Sequence, residues 1–271
     1  MTKQRNWKKM IAMDQYANNT ITNAIIRLDF ANPIHSINNE LAAPVRSASL
    51  RHFEIPEKNE IHSQEIQVSK EPGKQTLEVN DSTIIEWGFK GKSARKQLKI
   101  TENFLLVEVQ DYSNFTDFKT EFLDVFLCFK DTYKEVQISR MGMRYVDQIQ
   151  SFEIKDSDTS WFDYWKKFVD ERLLGGFAFV DNDDALARHM NSCIMNYNDY
   201  SLAFQYGMYN PDYPAVAKKP IFVLDTDVYS AGLLNHEDII GGLDTFHNQA
   251  SVWFEKSITD ELRALLGTSD E

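Results

Sequence analysis

The sequence has no hydrophobic run of the length that a secretory signal or a membrane span requires. Its first ten residues, Met1 to Met10, are polar and rich in lysine, whereas a signal peptide carries an apolar core of about 7–15 residues. No segment approaches the roughly 20 apolar residues that cross a bilayer. These absences predict a cytoplasmic protein without membrane contact.

Cysteine is scarce as well, and this excludes most cysteine chemistry. The two cysteines, Cys128 and Cys193, lie far apart in apolar segments, and no C-x-x-C pair occurs. Such residues are typical of buried free thiols in a reducing compartment. Nothing in the pattern supports a disulfide or a cysteine-ligated metal.

Motifs for nucleotides, metals and nucleophilic catalysis are missing too. The sequence contains neither G-x-S-x-G nor G-x-G-x-x-G. The segment from Gly88 to Ser93 looks like a phosphate-binding loop, but Glu86 stands where that motif needs glycine. His236 and Glu237 lack the second histidine of a zinc-protease helix. We therefore predict no cofactor, no bound metal and no assembled catalytic set.

Positive charge is scarce in the second part of the chain. The 29 Lys and Arg residues are outnumbered by 41 Asp and Glu, which gives a net charge of −12. Residues 1–100 carry a net charge of +4, whereas residues 101–271 carry −16. Because an acidic body repels nucleic acid, we expect such contact only at a local basic patch.

One basic patch exists: five lysine and arginine residues fall within a stretch of ten residues in the first part of the chain. Lysines also protect exposed strand edges from aggregation. We therefore favour a solvated loop that leads into such an edge over a nucleic-acid site. The residues of this patch are Lys90, Lys92, Arg95, Lys96 and Lys99.

The residues that are abundant predict a sizeable core of mixed structure. The chain is 42% hydrophobic and contains 18 Phe. Short alternating or β-branched runs between turn residues are typical of strands. Strand-like runs cover residues 21–30, 61–69, 75–79, 83–89, 97–109 with a turn at 101–103, 135–150, 188–195, 200–209 and 221–229.

Helical spacing of apolar residues predicts helices that cover one face of a sheet. The clearest stripe consists of aromatic residues at steps of three and four, and it indicates a core face. The predicted helices are a short one between Ser36 and Ala48, one from Phe115 to Tyr133, one from Ser160 to Gly175, and one from Asn235 to Leu265 that Ser257 or Thr259 bends.

The order of these elements predicts an α+β fold, with antiparallel sheet backed by long amphipathic helices. A strand, a helix, several antiparallel strands and a long helix occur twice. This order favours two similar β-α-β(n)-α halves at 20–133 and 135–265, which form one continuous domain or two. Residues 1–19 are predicted as a flexible N-terminal arm, and residues 266–271 as a tail.

Two arginines on the strand that begins the second half are the first candidates for a site. Arg140 and Arg144 point to one face of that strand about 13 Å apart, and Gly142 lies between them. Guanidinium groups bind phosphate or carboxylate in a bidentate manner, so the pair could hold an anion. The alternative, which we favour, is structural pairing with the many carboxylates of the chain.

Two aspartates and one histidine complete the candidates. Asp225 and Asp227 share one strand face, where they could bind a divalent cation or act as an acid–base pair. They could equally be the partners of Arg140 and Arg144. His247 lies beside an apolar stripe of the last helix, and we expect a hydrogen-bonded boundary residue rather than a catalyst.

Two segments resemble a known protein family. Residues 138–147, with the sequence ISRMGMRYVD, resemble the R-x-G-[LM]-R-Y-x-[ND] strand of a sporadically distributed prokaryotic family. Residues 243–263, which contain His247 and then FEKSITD, resemble its C-terminal helix, although Phe246 stands where leucine is more frequent. The resemblance spans most of the chain from residue 20 onward.

That family has no assigned activity, so the resemblance implies a fold rather than a reaction. Its patchy distribution resembles that of accessory genes for defence or toxin–antitoxin modules. We predict a non-catalytic binding or regulatory protein, the acidic counterpart of a basic effector, acting through a protein partner. The alternative is a ligand sensor or enzyme with an anion pocket at Arg140 and Arg144. The sequence leaves the partner's identity and the oligomeric state open.

Overall fold

A computed structural model of the protein describes residues 16–71, 74–151, 159–182, 185–215 and 219–267. Within these ranges, nine strands form a single antiparallel sheet in the order β2-β3-β4-β5-β1-β6-β9-β8-β7. The strands are β1 (Ile21–Phe30), β2 (Ile55–Glu71), β3 (Lys74–Lys90), β4 (Lys96–Ile100), β5 (Phe104–Val109), β6 (Ile138–Gln150), β7 (His189–Asn196), β8 (Ser201–Tyr209) and β9 (Ile221–Leu234).

Seven α-helices accompany the sheet in the described part of the chain, together with one short 3₁₀ helix. The two longest begin at asparagine caps, Asn114 and Asn235, whose side chains accept backbone N–H groups of the first turn. The helices are α1 (Ser36–Asn39), α2 (Ala43–His52), α3 (Phe115–Thr132), α4 (Trp161–Trp165), the 3₁₀ helix Glu171–Leu173, α5 (Gly175–Ala178), α6 (His236–Ser257) and α7 (Asp260–Leu266).

The two strands at the centre of the sheet, β1 and β6, each begin one of the predicted halves. They pair with each other in antiparallel register. On one side the first strand pairs with β5, and the meander runs outward through β4 and β3 to β2; on the other side β6 pairs with β9, followed by β8 and β7. The same strand order therefore occurs twice, with one strand fewer in the second half, and the predicted α+β class is confirmed.

The helices pack against one face of this sheet. On β1 the buried side chains alternate with partly exposed ones, since Ala24, Ile26 and Leu28 are fully buried. Phe222 of β9, on the same face, contacts the tilted ring of Trp165 and stacks with Phe177, both in the short helices. The intervening residues of the central strands form the opposite face, which we call the open face.

The continuous helix predicted from Ser160 to Gly175 is wrong. The chain leaves α4 after Trp165, and Val169 then forms an isolated β-bridge with Ile258. Asp170 caps the following 3₁₀ helix by accepting the backbone N–H of Arg172. The apolar residues of this segment are thus buried by several short pieces, which helical spacing alone does not distinguish from one helix.

The predicted bend in the last helix is present at Thr259. There the backbone N–H of Thr259 donates to Phe168, and its hydroxyl oxygen accepts the backbone N–H of Leu262. The hydroxyl therefore serves as the N-cap of α7 and interrupts the helix. The long α6 and the short α7 share the stripe that the sequence predicts as one helix.

The strands predicted at 75–79 and 83–89 are one strand, β3, and its partner β2 begins earlier than expected, at Ile55. These two strands pair along 17 residues each. Only residues 87–90 of β3 also pair with β4. Most of this hairpin is therefore a two-stranded ribbon that extends past the rest of the sheet.

Residues 1–15 of the predicted arm and 268–271 of the predicted tail lie outside the described residues. Three of the four described residues of the arm, Tyr16 to Asn18, are held against the C-terminal helices, whereas the side chain of Asn19 donates to the carbonyl of Tyr112. Tyr16 is buried, and its hydroxyl donates to Oε1 of Glu255 over 2.7 Å. The backbone N–H of Asn18 donates to Leu266 over 2.9 Å.

Two further features bear on the expectations from composition. Cys128 and Cys193 are both free thiols, but they are partly exposed rather than buried. None of the helices in the described part of the chain is long and apolar enough to span a membrane.

Candidate functional site

The four charged residues predicted from the two central segments meet on the open face. Arg140 and Arg144 lie on β6, and Asp225 and Asp227 lie on the adjacent β9. The register places Arg144 directly opposite Asp227 on one side and opposite Ile25 of β1 on the other. Period-2 alternation brings all four side chains to the same face of the sheet.

Arg144 forms a fork-like ion pair with Asp225. Its Nε and Nη2 atoms donate to the two carboxylate oxygens over 2.7 and 2.6 Å. The Asp225 side chain is only 12% exposed, whereas that of Arg144 is 46% exposed. The hydrogen bond to Asp225 raises the pKa of Arg144. This bidentate geometry fixes both groups and satisfies the charge of the buried carboxylate.

Arg140 is held by several weaker contacts. Its Nη1 lies 3.5 Å from Asp29 and its Nη2 lies 3.4 Å from Asp227. The guanidinium also lies 4.9 Å from the ring centroid of Tyr229, close enough for a cation–π contact. The contacts of Arg140 with each carboxylate are therefore longer than those of Arg144 with Asp225.

Gly142 makes room for that guanidinium. A Cβ atom at this position would lie 2.9 Å from Nη1 of Arg140. The guanidinium of Arg140 therefore covers the backbone at this glycine. The glycine lets Arg140 lie flat along β6 and reach Asp227.

A third arginine extends the arrangement onto β1. Arg27 pairs with Asp29 over 2.6 Å, and its guanidinium lies 4.3 Å from the ring centroid of Phe104. We call the whole set the open-face charge network. It consists of three arginines and three aspartates from β1, β6 and β9, namely Arg27, Asp29, Arg140, Arg144, Asp225 and Asp227.

The network surrounds a cavity of about 440 Å³ in the middle of the sheet. The apolar part of its lining consists of Ile25 and Leu106, with Gly142 between the arginines. Burial raises the pKa of Asp227, although Arg140 and Arg144 lower it. The whole network is balanced in charge, with three arginines and three aspartates, but the cavity itself is lined by the three arginines and only two of the aspartates, Asp29 and Asp227.

His247 lies on the other side of β6, away from this network. It is buried, its Nδ1 lies 3.0 Å from the hydroxyl of Tyr145, and its ring stacks on Phe115 at 4.0 Å. The expected hydrogen bond is thus present, but the residue lies in the core rather than at its boundary. The sheet separates it from Asp225 and Asp227.

The predicted basic patch is largely neutralised by acidic neighbours. Lys90 pairs with Glu57 over 2.9 Å, and Lys96 pairs with Glu121 over 2.5 Å. Lys92 and Lys99 each have a glutamate at 3.8 Å, and Arg95 is exposed. Lys96 and Lys99 also lie on opposite faces of β4 because they are an odd number of residues apart. These residues do not form one positive surface.

Sequence reasoning missed Arg27 and Asp29 on β1. They alternate with the buried Ile26 and Leu28, the same pattern that identified Asp225 and Asp227. That signal places two charges on the open face of a strand. Only the strand order, which the sequence does not provide, brings them beside Arg140.

Sequence reasoning also missed Asp147, a carboxyl buried on the helix face of β6. It is 2% exposed, and the hydroxyl of Thr20 donates to its Oδ1 over 2.7 Å. Burial raises the pKa of Asp147 to about 7. Its position two residues after the buried Tyr145 is the signal, since period-2 alternation predicts that both side chains face the core.

Metal ligation has no support in the described ranges, where no group of three or more His, Cys, Asp and Glu side chains is arranged to hold an ion. Comparison with models of known protein families and with curated proteins finds no match for this chain.

Proposed function

We propose that the protein is a non-catalytic binding protein that holds a protein partner on the open face of its sheet. The observation that carries this proposal is the open-face charge network. Its arginines are fixed in place by carboxylates and aromatic rings, yet Arg27, Arg140 and Arg144 remain 41%, 32% and 46% exposed. Side chains that are ordered before binding lose less entropy on association.

Binding is favoured over catalysis because two candidate catalytic groups, Asp225 and His247, are already engaged by other side chains of the protein. Both carboxylate oxygens of Asp225 accept hydrogen bonds from Arg144, and this side chain is only 12% exposed. His247 is buried on the helix face with Tyr145 and cannot reach the same substrate as the aspartates. A general base needs access to the proton that it removes, and neither group has it.

A protein is favoured over nucleic acid because the network alternates in sign. Nucleic-acid binding requires an excess of positive charge along the phosphate backbone. Arginine and tyrosine are enriched among the residues that dominate protein interfaces. Here Arg140 stacks on Tyr229, and the cavity beneath it offers apolar surface for a side chain of the partner.

The charge of the chain suggests which partner it attracts. The net charge of −16 in residues 101–271 would steer a basic protein toward it and raise the rate of association. A basic effector of a defence or toxin–antitoxin module fits this requirement. The resemblance of residues 138–147 and 243–263 to a family with the distribution of accessory genes supports the same proposal.

Native mass spectrometry of the tagged protein, isolated gently from its own host, tests this function. The variants are Arg27→Ala on the open face and, as a control, Arg172→Ala, which removes an exposed arginine paired with Asp170 away from the network. We expect a second polypeptide at fixed stoichiometry with wild type and the control, and at least tenfold less with Arg27→Ala. Equal retention by all three proteins, or no second polypeptide at all, contradicts the proposal.

A small anionic ligand is the second candidate, and one observation favours it. The contacts of Arg140 with its aspartates, at 3.4 and 3.5 Å, are long for ion pairs. An anion in the cavity could therefore draw this guanidinium away from Asp29 and Asp227. If inorganic phosphate raises the melting temperature of wild type but not of Arg140→Ala, this candidate replaces the first.

A further inference from the structure

The two outer strands of the sheet differ in how they are protected from pairing with another chain. The edge strand β2 carries six charged residues and Pro56 within its 17 positions. Charges and proline are the usual devices that prevent edge-to-edge association. The opposite edge strand, β7, has the sequence HMNSCIMN, with no Asp, Glu, Lys, Arg, Pro or Gly.

The unprotected edge is also accessible. In the described part of the chain β7 pairs only with β8, so the backbone groups on its outer side have no strand partner there. Its even-numbered residues lie on the open face, where Ile194 is 63% exposed. Exposed isoleucine on an unpaired strand is the kind of surface that another strand covers.

We propose that β7 pairs in antiparallel fashion with β7 of a second copy of this chain. A twofold axis at Ser192 would place Met190 of each copy opposite Ile194 of the other. Because both residues lie on the open face, each isoleucine would be covered by a methionine. The two sheets would then join into one continuous sheet, with both open faces on the same side.

Charge complementarity identifies the second copy as the occupant. Arg188 immediately precedes β7, and Asp199 lies in the turn that follows it; both are exposed. Antiparallel pairing brings the start of one strand beside the end of the other. Each Arg188 would therefore approach the turn that holds Asp199 of its partner, and symmetry makes this contact twice. The neutral strand between them also avoids the repulsion that two acidic chains would meet elsewhere.

The expected association is modest. A pair of eight-residue strands forms a smaller contact than the roughly 1,200–2,000 Å² of standard interfaces. We therefore expect a reversible dimer with a dissociation constant in the micromolar range. This proposal concerns an edge of the sheet and does not depend on the partner proposed for the open face.

Sedimentation equilibrium of the purified full chain between about 1 and 200 μM tests the proposal. The variant Ile194→Lys places a charge on the β7 edge without disturbing the core, since this side chain is exposed. The matched control is Ile61→Lys on the β2 edge, where the side chain is 42% exposed. We expect wild type and the control to dimerise equally, and Ile194→Lys to raise the dissociation constant at least tenfold.

Three results would overturn the assignment. Wild type that stays monomeric over the whole range has no such interface. A dimer that survives Ile194→Lys uses another surface. A dimer that Ile61→Lys disrupts as strongly as Ile194→Lys uses the β2 edge or depends on charge in general. Circular dichroism of each variant shows whether the fold itself is retained.

Discussion

The two faces of strand β6 place charged groups in opposite environments, one partly exposed and ion-paired, the other buried. On the open face, Arg144 is half-exposed and forms a fork with Asp225. On the helix face, Asp147 is buried, and the hydroxyl of Thr20 is the hydrogen-bond partner that the structure shows for it. One strand thus carries a carboxyl with a raised pKa and a paired arginine within four residues.

The difference shows that the hydrogen-bond and ion-pair partners of a charged group determine how much free energy its burial costs. A carboxylate removed from water is stabilised by a charged, bidentate partner, whereas a single hydroxyl offsets less of the desolvation penalty. Substitutions on the helix face should therefore change the free energy of unfolding, and those on the open face should change it less and affect binding more.

The largest effect is expected from a core methionine of β6. Met143→Ala removes a fully buried side chain on the helix face and should cost about 2–5 kcal/mol of unfolding free energy, because it leaves a cavity. Val146→Ala, on the open face of the same strand, is the control and should cost less than half as much. Urea unfolding measures both. Equal losses would show that the open face is packed as tightly as the core.

Asp147→Asn should have the next largest effect, and its sign depends on pH. The pKa of Asp147 is raised from 3.8 to about 7 in the folded state, so folding binds a proton between these values. Wild type should therefore lose stability as pH rises from about 4 to about 7. Asparagine cannot ionise, and it should stabilise the protein by about 1–3 kcal/mol at pH 8.

At pH 4 the same substitution should have a much smaller effect, because the carboxyl is protonated in the folded state and only about half ionised in the unfolded state. Urea unfolding at pH 4 and pH 8 measures the difference between the two proteins. The same change in stability at both pH values would show that the carboxyl does not titrate with a raised pKa in the folded state.

Arg144→Ala should cost about 1–2 kcal/mol, since it leaves the buried Asp225 carboxylate without its charged partner. The value is reduced because the arginine is 46% exposed and water can replace part of the contact. The double variant Arg144→Ala/Asp225→Asn should recover part of the loss. A double-mutant cycle with a coupling free energy near zero would contradict this expectation.

The smallest effect is expected at Gly142. Alanine in a strand gains roughly 0.5–1 kcal/mol over glycine, but here its Cβ would displace the guanidinium of Arg140. We expect Gly142→Ala to change the unfolding free energy by less than about 0.5 kcal/mol in wild type and to stabilise an Arg140→Ala background by the full propensity difference. Chemical unfolding of the four proteins measures this. The same gain in both backgrounds would show that Arg140 does not occupy that space.

Local patterns predict most of the elements but not where they meet. Helical spacing predicts α3 from Phe115 to within one residue of its end at Thr132, and the predicted start of the last helix, Asn235, is the N-cap of α6. The segment after Trp165 is different, because the bridge between Val169 and Ile258 comes from a part of the chain 89 residues away. Such tertiary contacts override helical periodicity.

Only part of the site could be predicted, because local patterns show which residues share a strand face but not which strands are neighbours. Alternation identifies Arg140, Arg144, Asp225 and Asp227 as neighbours on strand faces, and their mutual pairing is one of the alternatives that the sequence leaves open. The contribution of Arg27 and Asp29 depends on β1 lying beside β6 rather than beside its successor in the chain. That information resides in the topology.

The contact between Tyr16 and the C-terminal helices has a consequence for circular permutation of the chain. The backbone N–H of Ala17 donates to Gly267, so the two ends of the described fold lie side by side. A circular permutant that joins these positions through a short linker and opens at the β7–β8 turn would keep every strand pairing. A mechanical force that pulls residues 16 and 267 apart would break the hydrogen bonds between residues 16–18 and the C-terminal helices before it separated any strands of the sheet.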